Sequence, residues 1–326
     1  MLPLPRFRMF RPTTVAEAAG LLRDLGEDAQ LVAGGTDLLP NMKHGLVGAR
    51  ALVSLQNVAA LKGVRVERQS LRIGALTTLE SLAEDGRIRE LAPGLAEAAE
   101  AVGGPHHRRM GTLGGNLCLD TRCRYYNQTH FWRSALGFCL KKDGTVCHVV
   151  AGGQKCVAAA SNDTAPALIA LDATISLESV RGEREVPARS FYTADGIYNT
   201  TRERDEIVTA VTLPIVPGRT SGFDKLRRRN AIDFPLLSVA ARVDRDEGGI
   251  AALDIVVSAL AARPRRLAAA AKVPPGTRPS MDLVHRLSEA AKKECRPLDN
   301  VEGDAEWRHE MVPLLVERLS RRLGLG

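Results

Sequence analysis

Leu31-Val-Ala-Gly-Gly-Thr-Asp-Leu38 is the stretch on which the fold prediction depends. A short strand is predicted to end in the sharp turn Gly34-Gly35-Thr36. Glycines leave backbone N–H groups open to close approach because no Cβ atom blocks them, and such a turn suits a pyrophosphate. The GxGxxG and GxxxxGK[ST] fingerprints are both absent. Alone, the stretch therefore fits an ordinary tight turn as well as a phosphate site.

A second glycine turn, Thr112-Leu-Gly-Gly-Asn116, follows about eighty residues later. Its threonine and asparagine flank the glycines, much as Thr36 and Asp37 follow the glycines of the first turn. Two such turns could hold one diphosphate from both sides. Two unrelated loops remain an equally good interpretation of the residues alone.

The remaining pattern predicts an α+β chain. Thr14-Val15-Ala16-Glu17 is a capping box before an amphipathic helix, and a first α/β unit ends near residue 57. The composition changes at 214–221. Beyond this point the sequence predicts an antiparallel meander followed by helices, from apolar runs at 223–228, 236–243 and 250–260. Pro313 is expected to kink or restart the last helix.

Composition and charge limit the classes of protein to which this chain could belong. The chain has 326 residues, 44% hydrophobic and 25% charged, which is typical of a globular protein of about two domains. No stretch approaches 18 apolar residues, so we expect a cytoplasmic protein without a membrane span. The net charge of +7 is scattered and aromatic residues are only 4%, which favours partner docking over nucleic-acid binding.

Cysteine placement is the most unusual feature of the composition. Five of the six cysteines lie between 118 and 156. Clustered cysteines in a cytosolic protein favour a metal or catalytic site over disulfides. The sequence has no CxxC pair, and the spacing alone leaves zinc, free thiols and an iron–sulfur cluster open. Cys118, directly after the second turn, is predicted to be buried, and Cys295 to be an isolated thiol.

These motifs resemble the FAD-binding subunit of the molybdenum hydroxylases, a family that includes xanthine dehydrogenase and carbon monoxide dehydrogenase. The resemblance covers nearly the whole chain and extends to the segments 162–168 and 258–266. It implies a two-part FAD domain of the vanillyl-alcohol-oxidase/CO-dehydrogenase flavoprotein type, followed by a C-terminal α/β domain with an antiparallel sheet and helices. The expected boundaries are 1–57, 58–215 and 216–326.

The resemblance also assigns the FAD-binding positions. The two glycine turns would bind the pyrophosphate, and Asp163 would contact the sugar-like chain of FAD. Lys225 would lie near the flavin ring, and Ile207 and Val208 would lie beside it. The residues implied for FAD are Leu31, Val32, Ala33, Gly34, Gly35, Thr36, Asp37, Thr112, Gly114, Gly115, Asn116, Asp163 and Lys225.

An insert of about forty residues, roughly 119–160, departs from the common family pattern and holds the cysteines. It resembles one branch, the beta subunit of 4-hydroxybenzoyl-CoA reductase, whose insert binds a [4Fe-4S] cluster. The resemblance implies that the cluster ligands are Cys123, Cys139, Cys147 and Cys156.

The implied role is electron transfer, with no catalytic residue in this chain. Electrons from ferredoxin would pass through the [4Fe-4S] cluster and FAD to a small subunit with [2Fe-2S] clusters and a large subunit with the molybdopterin cofactor, in a dimer of heterotrimers. There the phenolic hydroxyl would be removed to give benzoyl-CoA. The alternative is the flavin subunit of another molybdenum hydroxylase, of the xanthine or CO dehydrogenase type, which passes electrons outward and has a structural metal insert.

Overall fold

Three β-sheets, each covered by helices, make up the computed structural model, which describes residues 2–326. Helices and strands both contribute extensively, and the last sheet is antiparallel with helices closing the chain. The α+β fold predicted from the sequence is confirmed.

The first sheet is parallel, with strand order β1-β3-β2. The Thr14 hydroxyl accepts the Glu17 N–H, so the predicted cap starts the helix. Because the second strand ends at Val32, the first glycine turn leaves this sheet at its carboxyl edge. The elements are β1 (Arg8–Phe10), α1 (Val15–Leu25), β2 (Ala29–Val32), α2 (Leu38–Lys43) and β3 (Ala51–Ser54).

The second sheet is antiparallel, in the order β4-β5-β8-β6-β7. Six helices and the cysteine insert lie between its second and third strands in the chain, and the insert contains one short helix, α8. The elements are β4 (Val64–Glu67), β5 (Ser70–Gly74), α3 (Leu79–Glu84), α4 (Gly86–Leu91), α5 (Pro93–Glu100), α6 (Pro105–Met110), α7 (Leu113–Leu117), α8 (His130–Ala135), α9 (Thr164–Ala170), β6 (Thr174–Ser179), β7 (Gly182–Pro187), α10 (Ala188–Phe191) and β8 (Ile207–Pro214).

The third sheet is an antiparallel meander in the order β12-β11-β10-β9. Its two closing helices pack on each other, and the last one packs on β9 and β10. The elements are β9 (Arg219–Leu226), β10 (Leu237–Asp246), β11 (Gly249–Ser258), β12 (Arg265–Arg266), α11 (Ala268–Ala271), α12 (Met281–Glu294) and α13 (Ala305–Arg322).

Helix α13 bears on the prediction that Pro313 kinks or restarts the last helix, and the predicted restart is wrong. It continues through Pro313 from Ala305 to Arg322, so the helix does not restart there. Val312 and Leu315, on either side of the proline, are both buried in the core of the third sheet. Packing of this face therefore outweighs the hydrogen bond that proline removes.

A close backbone contact joins the second and third sheets. A Cβ atom on Gly94 of α5 would lie 2.9 Å from the nitrogen of Gly222 on β9. The Gly94 N–H donates to the Ser221 hydroxyl at 3.0 Å. This contact sets β9, which carries Lys225, against the domain that carries the glycine turns.

No helix among residues 2–326 combines the length and the apolar character needed to cross a bilayer.

Arg308 of α13 is fully buried and bonds only to backbone carbonyls. Its guanidinium donates to the oxygens of Leu236 at 2.9 Å, Leu298 at 2.9 Å and Ala259 at 2.7 Å. Burial lowers its pKa to about 10, so it remains charged at neutral pH. One side chain thus ties the helix to both ends of the β10–β11 hairpin and to the 298 loop.

We predict that Arg308→Met lowers the free energy of unfolding by at least about 3 kcal/mol, because it leaves three buried carbonyls without a donor. Denaturant unfolding measures the change. The control is Arg286→Met on α12, an exposed arginine paired with Asp282, which should cost less than about 0.5 kcal/mol. Equal stability of the two variants would contradict this role of Arg308.

Candidate functional site

A cleft of about 1070 Å³ lies where the first sheet, the second sheet and the insert meet. It is lined by residues of 29–41, of the second glycine turn, and of the segment 197–208. Ile207 and Val208 are among them. The two glycine turns, far apart in the chain, therefore open into one cavity.

Gly34 is what allows the two turns to meet. A Cβ atom on Gly34 would lie 1.8 Å from the carbonyl oxygen of Met110, which ends α6 just before the second turn. No larger residue fits this contact without moving one of the backbones. The Thr112 hydroxyl accepts the Gly115 N–H at 3.1 Å and closes the second turn beside it.

Asn116 links the second turn to the helix that follows Asp163. Its Oδ1 accepts the Thr164 N–H at 3.1 Å and the Thr164 hydroxyl at 2.6 Å. These bonds fix Asp163 in the cleft wall, at the start of α9.

Asp163 and Lys225 form a buried pair at one end of the cleft. Lys225 Nζ donates to Asp163 Oδ2 at 2.6 Å and to the Ala101 carbonyl at 3.0 Å, and both side chains are under 5% exposed. Asp163 Oδ1 has no hydrogen-bond partner among residues 2–326. Burial raises the pKa of Asp163 to about 6, against the opposing charge of Lys225. The unpaired oxygen is an acceptor available to a ligand.

The structure brings all but one of the sequence-predicted FAD residues into the cleft wall. Lys225 lies behind that wall and reaches the cleft through Asp163. The predicted residues that line the cleft are Leu31, Val32, Ala33, Gly34, Gly35, Thr36, Asp37, Thr112, Gly114, Gly115, Asn116 and Asp163.

Arg122 is a cleft residue that the sequence reasoning missed. Its guanidinium forms an ion pair with Asp37 of the first turn and lies 4.3 Å from the ring centroid of Phe234. Burial lowers its pKa to about 10. Its position directly before Cys123 is the one sequence signal that connects it with a site.

The prediction that Cys118 is buried is wrong: the residue is exposed and lines the cleft. The residue follows α7 at the point where the chain runs along the cleft wall, so its side chain contacts open space. Cys295 is buried in the core of the third sheet, away from the other cysteines.

Cys123, Cys139, Cys147 and Cys156 line a second, smaller cavity inside the insert. Three of them are buried and Cys147 is partly buried. Burial, with a smaller contribution from the neighbouring Cys156 and Cys139, raises the pKa of Cys123 to about 11. The four thiols are therefore close enough to influence one another.

No group of three or more His, Cys, Asp or Glu side chains in the described chain is arranged to hold a single metal ion. A zinc ion needs its sulfur ligands about 2.3 Å from one point. The cysteine cavity does not provide such a point.

Aromatic residues of the insert divide into two groups. Tyr126 is buried with the cysteines, and Tyr125 packs against them. Trp132 and Phe131 are 40% and 81% exposed and lie outside this cluster. Both belong to α8, whose one buried side chain is Arg133.

Two family models match the chain. "FAD binding domain in molybdopterin dehydrogenase" covers residues 5–216, and "CO dehydrogenase flavoprotein C-terminal domain" covers residues 221–323. Together they include all three sheets.

Known proteins resemble the chain over its full length. The carbon monoxide dehydrogenase medium chain of Hydrogenophaga pseudoflava is 28% identical over 319 residues, which is 98% of this chain and 96% of the relative. The xanthine dehydrogenase FAD-binding subunit of Escherichia coli O157:H7 is 28% identical over 312 residues, 95% of this chain and 93% of the relative. A solved structure of the Hydrogenophaga carbon monoxide dehydrogenase superposes with a TM-score of 0.80 at 28% identity, over 98% of this chain and 97% of that one.

We predict that Gly34→Ala weakens FAD retention about tenfold or more, because the added Cβ separates the two turns at a cost of about 1–3 kcal/mol. Flavin absorbance after gel filtration and titration of the stripped protein measure the change. The control is Gly48→Ala, an exposed site where an added Cβ meets nothing within 4 Å. FAD affinity equal to that of the unaltered protein would contradict the contact.

Proposed function

The chain belongs to the FAD-binding medium subunits of the molybdenum hydroxylase family, of the CO and xanthine dehydrogenase type, and on that premise we propose that it passes electrons between a molybdenum subunit and an external partner. The observation that carries the proposal is the convergence of two glycine turns and the unpaired Asp163 oxygen in one cleft. The alternative prediction from the sequence is a flavin subunit that passes electrons outward from a molybdenum subunit. The names of the relatives, carbon monoxide dehydrogenase and xanthine dehydrogenase, favour this direction.

The residues of the cleft fit an extended dinucleotide. The backbones of the two turns, side by side, would hold the pyrophosphate. Gly34 and Gly114 permit this arrangement because each packs directly against protein atoms, Gly34 on the Met110 carbonyl and Gly114 on Ala75. Asp163 would accept a hydrogen bond through its unpaired oxygen, and Lys225 would keep that carboxylate ionised. When bound, FAD exchanges electrons singly or in pairs, which suits transfer between different kinds of centre.

The partners proposed are a small subunit with [2Fe-2S] clusters and a large subunit with the molybdopterin cofactor. The term "medium chain" for the carbon monoxide dehydrogenase relatives implies smaller and larger companions. Substrate chemistry then belongs to the large subunit, and this chain contributes no catalytic residue.

The cysteine cavity favours a second, more specific candidate. Four cysteines around one cavity are the ligand set of a [4Fe-4S] cluster. Each thiolate of such a cluster binds a different iron atom, so the absence of a single-ion site in residues 2–326 is compatible with it. With this cluster the chain would be the beta subunit of a 4-hydroxybenzoyl-CoA reductase, with ferredoxin as donor. A structural metal in the insert is the competing hypothesis.

We predict that FAD affinity falls as the pH drops through about 6, approaching tenfold per pH unit below it, because protonated Asp163 loses its Lys225 partner and an acceptor. Fluorescence titration between pH 5 and 8 measures the affinity. Asp163→Asn should bind weakly at pH 8 with a flat pH profile.

Asp233→Asn is the control for this pH profile. Asp233 also lines the cleft, but the Arg229 guanidinium lowers its pKa, so it stays ionised between pH 5 and 8. The slope should therefore persist in this variant. A pH profile of Asp163→Asn that matches the unaltered protein would contradict the assignment.

We predict one FAD, four iron and four sulfide per chain after anaerobic purification. Cys139→Ser should lose the cluster signal in the EPR spectrum after dithionite while keeping FAD. The matched control is Cys295→Ser, which lies in the core of the third sheet, outside both cavities, and should keep the cluster signal and FAD. Zinc in place of iron would support the structural insert, and a chain without FAD would overturn the flavin proposal itself.

A further inference from the structure

Lys141 places a buried positive charge beside the cysteine cavity. Its side chain is 5% exposed and the residue lines the same cavity as the four cysteines. Nζ donates to Asp120 Oδ1 at 2.7 Å, to the Thr121 hydroxyl at 2.7 Å and to the Gly196 carbonyl at 2.5 Å. Each of the three ammonium protons therefore has a hydrogen-bond acceptor, and these bonds fix the position of the charge.

Gly196 holds that charge close to one of the thiols. A Cβ atom on Gly196 would lie 2.8 Å from Cys156 Sγ, and the Gly196 N–H donates to the Cys156 carbonyl at 2.8 Å. The ammonium therefore acts on the sulfur across one backbone segment.

The partner of Lys141 lies on the other side of a thin wall. Residues 118–123 separate the two cavities: Asp120 and Arg122 line the cleft, whereas Cys123 lines the cysteine cavity. Reciprocal backbone bonds between Arg122 and Ala159, at 2.8 and 2.7 Å, hold this segment in place. The Lys141–Asp120 pair thus lies across this wall, with Lys141 lining the cysteine cavity and Asp120 lining the cleft.

We propose that Lys141 sets the reduction potential of the cluster in the insert, holding it above the value that the four thiolates alone would give. The proposal rests on the [4Fe-4S] assignment made under the proposed function. Reduction adds one electron and hence one negative charge to the cluster, and a fixed, desolvated cation stabilises that state. Salt screens a buried charge poorly, so the effect persists in buffer.

A purely structural role would not require the charge. Burying an ion pair costs desolvation energy, and an apolar residue of similar volume often packs equally well. Lys142, the next residue, provides the comparison: it carries the same charge, is 30% exposed, and faces Asp143 rather than the cavity.

The test is a dithionite titration of the holoprotein monitored by EPR, with iron and FAD quantified on each sample. Lys141→Met is expected to shift the reduction equilibrium about tenfold toward the oxidised cluster, which corresponds to about 59 mV for one electron. Lys141→Arg keeps the charge, so its reduction potential should lie close to that of the unaltered protein. Lys142→Met should leave the potential unchanged.

A second variant covers the case in which Lys141→Met fails to retain its cluster. Asp120→Asn keeps the ammonium and an acceptor oxygen but removes the negative charge, so the potential should rise. Unaltered protein without iron overturns the proposed cluster and, with it, this inference. Four iron per chain with an unchanged potential in Asp120→Asn overturns this inference alone.

Discussion

The close approach of Gly34 to the backbone at Met110 is the contact on which the rest of the site depends. It brings the turn that leaves the parallel first sheet against the turn that follows α6. Asn116 then couples the second turn to α9 and Asp163, and Asp163 couples to Lys225 on the third sheet. A single steric requirement at one glycine therefore connects residues of all three sheets around one cleft.

A second constraint is the cost of burying charge, which the molecule meets by pairing. Arg122 pairs with Asp37, Lys225 with Asp163, and Lys141 with Asp120, and each pair lies at a boundary of the cleft or the cysteine cavity. In each case the opposite charges come from segments far apart in the chain, so the pairs form only in the complete fold. Charge pairing here fixes the relative positions of segments more than it adds stability.

Much of this arrangement could be predicted from local patterns. Local sequence patterns predict the Thr14 cap, the glycine turns and the alternating strands of the third sheet, because each depends on neighbouring residues. That the two turns share one cleft is predicted from the family resemblance. Lys141, Arg122 and the exposed face of Cys118 depend on which segments meet in space, which no local pattern encodes. Continuation of α13 through Pro313 depends likewise on burial against β10, a tertiary effect that overrides propensity.

The paired ends of the insert have a consequence for the length of the segment between them. Arg122 and Ala159 exchange backbone bonds, so a chain that turned directly from one to the other would still present Arg122 to Asp37 and Asp163 to the cleft. Closing a longer loop between two fixed points costs little, since each doubling of its length adds only about 0.6 kcal/mol. The length of the segment 123–158 therefore has little effect on the free energy of folding of the site beside it, because the Arg122–Ala159 bonds fix both of its ends.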